Sequence, residues 1–229
     1  MNFVLRVKEH PLLGLGYSKL RLLLEIVPCY LIREVLADLP DTQLQPGVGP
    51  IDMGFLDRTE VQSLAASPEV PELEDVLMER LDAGCLCLGA RHEGTIAAYS
   101  WCDLAQCNYD GRLAFPLSDK EAYLFDARTF KAYRGNKLAG CLRYKLYREL
   151  DRMGRDRFFS TSSCLNTSAM SFKDRLKARR VRLYVYIKLF NKWQACILLR
   201  RYSKEDEPLC MSNGERRERE KHPRRIFPA

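Results

Sequence analysis

Histidine is nearly missing from this chain of 229 residues, which has only His10, His92 and His222. That leaves a metal centre poorly supplied, because imidazole is the commonest metal-ligating side chain. The nine cysteines do not make up the deficit. Their number is odd, no pair has C-x-x-C spacing, and no disulfide framework is visible, so metal ligation is not expected and the thiols read as unpaired. Cys85 and Cys87 lie two apart in an apolar run, where a strand would turn both to one face. Buried thiols in a reducing, cytoplasmic setting are therefore expected. Long apolar runs are also missing: no uncharged stretch reaches the roughly 18 residues of a membrane span. The stretch 12–27 is interrupted by Lys19, Arg21 and Glu25, and no small-residue cleavage site follows, so it does not read as a secretory leader. Internal repeats are not visible. Zinc-finger, RNA-recognition and basic-zipper signatures are absent too, so nucleic acid is not an expected partner.

What is present is an ordinary globular composition with a positive balance. The net charge of +7 favours anionic partners or a well-solvated surface. Three zones are expected. Residues 1–28 form a basic, leucine-rich extension. Residues 29–202 form one α/β domain with a mixed central sheet and flanking helices. Residues 203–229 form a charged tail that cannot bury apolar surface and is expected to be disordered. In the extension, Leu20, Leu23, Leu24 and Val27 recur at helical spacing beside Lys19 and Arg21. Such a helix can lie on the inner surface of a membrane, pack on the domain or join two copies. All three readings stay open.

Within the middle zone, residues 29–35 read as a short strand and 52–67 as a strand leading into a helix. A helix over 71–83 is expected to bury Leu73, Val76, Leu77 and Leu81. Residues 85–91 and 95–101 are apolar runs joined by His92-Glu93-Gly94, a hairpin signal. A strand follows at 121–130. The clearest helix spans 138–153, with Leu138, Leu142, Leu146, Leu150 and Met153 in one stripe, Arg143, Arg148 and Arg152 off it, and Gly154 at its stop. After a strand at 157–162, Asn166 opens a helix with Ala169, Phe172 and Leu176 on one face. Strict alternation from Val181 to Ile187 predicts a strand, and 193–199 another.

The segment 121–153 carries the chemistry. Its turn reads Tyr133-Arg134-Gly135-Asn136-Lys137-Leu138-Ala139-Gly140. Backbone N–H groups at a helix start are unpaired, and with the helix dipole they make an anion site. Arg134 and Lys137 add charge, so a diphosphate suits the place. A basic turn that merely starts a helix would read the same way. The spacing is neither that of a Walker turn nor that of a dinucleotide fingerprint.

This turn resembles that of the GNAT acetyltransferase superfamily, [QR]-x-x-G-x-[GA] followed by a leucine-bearing helix. Arg134, Gly135, Leu138 and Ala139 correspond in position and kind, while Lys137 stands where the family has glycine. Downstream, Asn166, Ala169, Phe172 and Leu176 fit the family's second frame, with Lys177-Ala178 in place of its Gly-Phe pair. The resemblance covers roughly 71–189. It implies an acyl-CoA N-acyltransferase domain using acetyl-CoA or another acyl-CoA. The pantetheine arm would lie along Phe125, Ala127 and Thr129. The pyrophosphate would lie on Arg134, Gly135, Asn136, Lys137, Leu138, Ala139 and Gly140, with Asn166 in support. An amine, unidentified by this sequence, would attack the thioester directly.

By the same resemblance Glu121, thirteen positions before Arg134, would be the general base, with Asp126 a second candidate on the opposite face of the strand. Lys173 stands seven residues after Asn166, where many members carry a tyrosine general acid, and would take that role. Tyr184 and Tyr186 could line a substrate cleft. Lys137 and Lys173, both departures, keep open a module of this type that binds CoA or a partner protein without catalysis. An aminoacyl-tRNA-dependent transferase of related fold fits less well, since such chains pair two domains and this one has room for one.

Overall fold

The computed structural model describes residues 24–35, 46–190 and 193–212. The strands are β1 (Leu24–Glu34), β2 (Asp52–Phe55), β3 (Leu86–His92), β4 (Thr95–Asp103), β5 (Gln106–Tyr109), β6 (Leu113–Pro116), β7 (Glu121–Thr129), β8 (Arg157–Ser163), β9 (Arg179–Leu189) and β10 (Trp193–Arg201). The helices are α1 (Arg58–Ala65), α2 (Glu74–Asp82), α3 (Leu138–Arg152), α4 (Thr167–Arg175) and the short α5 (Leu209–Ser212). Eight strands form one sheet in the order β10-β9-β1-β8-β7-β4-β3-β2. Every neighbouring pair is antiparallel except β7 and β8, which run parallel and are joined through α3. Parallel neighbours need such a crossover, whereas antiparallel ones need only a turn.

Local chemistry explains the element boundaries. Asp57 caps α1 by accepting from the Glu60 N–H at 2.8 Å, and Glu60 accepts from the Asp57 N–H at 2.9 Å, a reciprocal capping box. The β3–β4 turn places Glu93 and Gly94 at φ 50° and 77°, as a two-residue hairpin loop requires. Gly154 ends α3 at φ 81°.

Alternation along β3 and β4 divides the core. Leu88, Ala90, Ala98 and Cys102 meet α3 on one face, and Leu176 at the end of α4 joins that cluster. Cys87, Tyr99 and Trp101 meet α1 and α2 on the other. A third cluster joins Cys29, Leu31, Tyr123, Phe159 and Tyr184 to the β5–β6 hairpin.

Several expectations need correction. Leu24 to Val27 are strand, not helix, and belong to the sheet. The rest of the basic extension, residues 1–23, lies outside the described residues. Of the α2 stripe only Leu77 is buried, while Leu73 and Val76 are exposed and Met78 takes the second inner position. Between β4 and β7, where no element was expected, the chain forms the β5–β6 hairpin, because Cys107, Leu113 and Phe115 find a core to enter. Arg143 is not off the α3 stripe but buried within it, and Met153 is exposed. The tail does not begin at residue 203. Glu207, fully buried, holds Arg182 through bonds of 3.0 and 2.6 Å, and α5 follows. Residues 213–229 lie outside the described residues. Among the described residues no helix is long and apolar enough to cross a membrane.

Candidate functional site

β7 and β8 pair only through Glu121–Arg157, Ala122–Phe158 and Tyr123–Phe159. Beyond these, β7 runs on to Thr129 and β8 to Ser163 without pairing to each other, so the sheet opens as a wedge. The Tyr123 hydroxyl bonds that of Thr161 at 2.6 Å where the strands part.

A register shift against β4 inserts one extra residue into β7 at Asp126, whose φ is 39°. This bulge changes which way Asp126 points. Strict alternation turns it away from Phe125, but its carboxylate meets Arg80 Nη1 at 2.6 Å, and the same guanidinium lies 5.3 Å over the Phe125 ring. Both side chains therefore reach α2, and a β-bulge is the feature that breaks the period of two.

After β7 the chain makes a tight turn over Lys131–Tyr133 and enters α3. Gly135 lies at φ 85° and Lys137 at φ 59°, ψ 2°. Lysine thus adopts the left-handed backbone at the position expected to need glycine. Lys177, in the other glycine position, does the same at φ 54°. The turn is pinned by the Gly47 N–H donating to the Asn136 carbonyl at 3.0 Å and by Arg134 Nε donating to the Thr129 carbonyl at 3.1 Å. The N–H groups of Gly135, Asn136, Lys137, Leu138 and Ala139 meet no acceptor among the described residues. The first turn of α3 carries no acidic residue, and Lys131, Arg134 and Lys137 stand exposed beside it. The outcome is a small concave array of donors at the positive end of a fifteen-residue helix. Across the wedge, Asn166 caps α4 by accepting from the Ala169 N–H at 3.0 Å, which leaves its amide nitrogen for another partner.

The expected acid and base lie elsewhere. Glu121 is fully buried in the closed part of the seam. One carboxylate oxygen accepts from the Leu209 N–H at 2.7 Å and the other from the Ser118 N–H at 2.9 Å, with Arg157 Nε at 3.6 Å. A carboxylate so occupied fastens α5 to the sheet, and this geometry lends the general-base expectation for Glu121 no support.

Lys173 is also buried, bonded to Ser160 Oγ at 2.7 Å and to Glu34. Glu34 further accepts from the Tyr147 hydroxyl and has Arg143 Nε at 3.6 Å. Burial alone would raise the Glu34 carboxyl, but Arg143 and Lys173 outweigh it and hold it at about 2. Burial is also the largest influence on Lys173 and pushes it down to about 8 against the pull of Glu34. Lys173 therefore belongs to a buried charge cluster that joins β1, β8, α3 and α4, and this geometry lends the general-acid expectation no support. Tyr184 and Tyr186 are both buried, with their hydroxyls bonded inside the protein. Arg182 donates to the Tyr184 hydroxyl at 3.1 Å, and the Tyr186 hydroxyl donates to Gln194 at 2.9 Å.

Sequence reasoning missed Glu34, Arg143, Tyr147 and Arg80. One signal was available: Arg143 and Tyr147 stand four apart on α3, the spacing at which two side chains can share a partner. Nothing in the pattern of β1 paired Glu34 with them.

No family model matches the chain, and no curated protein matches it. Solved structures do. A GNAT-family acetyltransferase of Colwellia psychrerythraea is 16% identical, over 76% of this chain and 62% of its own, with a TM-score of 0.52. A protein of Novosphingobium aromaticivorans assigned to the GNAT family is 20% identical, over 78% of this chain and 66% of its own, at 0.48. AAC(6')-Iy, solved with the bisubstrate analog CoA-S-monomethyl-acetylneamine, is 17% identical, over 56% of this chain and 90% of its own, at 0.44. This chain thus spans just under two thirds of the length of the first two. The parallel β7–β8 seam, the wedge beyond it and the helix that opens behind its turn make the architecture that of the GNAT acetyltransferases.

Proposed function

We propose that the chain is an acyl-CoA-dependent N-acyltransferase, with acetyl-CoA its first candidate co-substrate. The observation that carries this reading is the wedge between β7 and β8, ending in a turn with five N–H groups that meet no acceptor among the described residues. An acyl-CoA fits the residues present. Its pantetheine arm would run along the unpaired edge of β7, past Phe125, Ala127 and Thr129. Its diphosphate would be received by the N–H groups of Gly135 to Ala139, with Arg134 and Lys137 as countercharges, Gly140 within the same helical turn and the free amide nitrogen of Asn166 opposite. In the transfer, the amine nitrogen bonds to the thioester carbonyl carbon and the C–S bond breaks. The proton lost by nitrogen ends on the thiol of CoA. With Glu121 and Lys173 sealed, the first acceptor of that proton is water in the wedge.

Calorimetry with acetyl-CoA tests the binding. The joint substitution Arg134→Ala, Lys137→Ala is expected to weaken it roughly tenfold or more, since bonds to a charged group contribute about 1.5–3 kcal/mol each. Absence of binding by the unaltered chain at millimolar ligand would refute the reading.

The sealing of Glu121 and Lys173 supports a second reading, a module that binds CoA without turning it over. Chromatographic measurement of CoA released in the presence of a panel of amines separates the two. Release with any amine eliminates the second reading, and binding without release across the panel eliminates the first.

A further inference from the structure

The strands β1, β9 and β10 carry apolar side chains on both faces. A sheet with one face in water alternates apolar with polar, whereas strands covered on both faces read as continuous apolar runs. On one face Cys29, Leu31 and Tyr184 pack into one cluster with the β5–β6 hairpin. On the other, the pairing registers align the side chains in rows, from Leu24–Leu189–Trp193 at one end to Pro28–Val185–Ile197 at the other. The row between them, which begins at Ile26, is apolar too, so none of the three rows holds a charge.

Cover of this second face runs out along β1. By alternation Glu34 and Ile32 share it with Pro28, Ile26 and Leu24. Glu34 is fully buried against Tyr147 of α3 and Lys173 of α4, and Ile32 is 1% exposed. Ile26, by contrast, is 53% exposed and Ile197 44%, and Leu24 and Leu189 are exposed with them.

Size limits what can cover the rows. With strands about 4.8 Å apart and rows about 6.8 Å apart, three by three positions make about 300 Å² of sheet. A stable contact between two copies takes roughly 800 Å² from each. Contact with a bilayer adds the attraction of cations for anionic lipid to apolar area, and the rows hold no cation. A segment of the same chain loses no translational freedom on docking, so a small face suffices for it. The residues just before β1 meet that requirement. They join the strand at Leu24, in the first row. From 12 to 23 they hold six leucines and no acidic residue.

We propose that residues 12–23 dock on this face and complete the core of the β1-β9-β10 half of the sheet. They supply on that side what the β5–β6 hairpin supplies on the other. Of the three placements open to the basic extension, this is the one on the domain itself, and it does not depend on the acyl-CoA reading.

The test is hydrogen–deuterium exchange of the full chain, read in peptides covering 12–23, beside acrylamide quenching of tryptophan fluorescence. The chain has two tryptophans and Trp101 is fully buried, so quenching reports Trp193 in the first row. In the unaltered chain, exchange over 12–23 is expected to be about tenfold or more slower than in a free peptide of that sequence, with Trp193 shielded. The joint substitution Ile26→Asp, Ile197→Asp should return that exchange to the free-peptide rate while the amides of β4 and β7 stay protected. The pair Leu20→Asp, Leu22→Asp leaves the sheet untouched and should remove the shielding of Trp193. Free-peptide exchange over 12–23 in the unaltered chain would overturn the proposal, as would protection and shielding that survive both pairs of substitutions. Protection seen only at concentrations where sedimentation shows a dimer assigns the face to a second copy. Protection seen only with phosphatidylserine vesicles assigns it to a bilayer. Either result overturns the proposal.

Discussion

Lys137 and Lys177 show how little of a glycine's role depends on being glycine. Both occupy left-handed backbone, at φ 59° and 54°, and both keep the chain on the path that a glycine would give it. The Cβ penalty of that conformation is roughly 1–2 kcal/mol per residue. Replacing either lysine by glycine should therefore stabilise the fold by about 1 kcal/mol, measured by urea denaturation, after allowing for the entropy glycine loses on folding. Lys137→Gly should weaken CoA binding at the same time, because the cation leaves with the side chain, whereas Lys177→Gly should not. Glu34 presents the opposite case, a residue whose partners leave it no freedom. Glu34→Gln would leave Arg143 and Lys173 buried without their counter-ion, at a cost of about 3–5 kcal/mol. Its pH dependence follows from its sign. The folded carboxyl, at about 2, lies below its ordinary 4.5. Its contribution is therefore complete above about pH 4.5 and lost as pH falls through about 2. Urea midpoints across that range should drop in the unaltered chain and lose this component in Glu34→Gln.

The elements were largely legible before their arrangement was. Hydrophobic period and stop signals placed β2, β3, β4, β7, α3, β8, α4 and β9 to within a few residues, because each carries its own cap, turn or alternation. Three things were not legible, each for a physical reason. Leu20 to Val27 keep helical spacing, yet Leu24 to Val27 pair with β9, since tertiary pairing outranks propensity in a short segment. The hairpin β5–β6 carries a turn signal, Asp110-Gly111 at φ 50° and 68°, but its strands are only four residues long and their inward residues depend on a distant core. Glu121 and Lys173 matched catalytic positions by spacing, but spacing cannot report whether a carboxylate is already taken. At the site, the turn 134–140 could be located because its donors are backbone groups of a helix start, whereas the clamp of Arg80 on Asp126 joins residues 46 apart and leaves no local trace. A prediction belongs to α3 itself. Ala139→Asp would place a carboxylate in the first turn, where the helix dipole favours it by about 0.3–1 kcal/mol. The same substitution should abolish CoA binding by setting a negative charge where the diphosphate would lie. A thermal melt that rises while calorimetric binding disappears is the expected pair of results.

At the scale of the whole molecule, two antiparallel four-stranded halves meet at one short parallel seam. The half beyond the seam contains β1, placed between β8 and β9. It is completed by the segment after β10, where Glu207 neutralises the buried Arg182. Glu207→Ala should cost about 3–5 kcal/mol in denaturant unfolding, the scale of breaking a buried ion pair. The position of β1 also sets a timetable. It is among the first parts of the described chain to be synthesised, yet its neighbours come late: Glu34 and Lys173 are 139 residues apart. Until β8 and β9 emerge, β1 has no strand beside it, and until β1 arrives those two have nothing between them. Closing so long a loop is slow, and unpaired edges invite the wrong partners meanwhile. Refolding should therefore depend on protein concentration more than the stability of the finished sheet suggests, and relocating β1 to follow β10 through a linker should relieve that dependence.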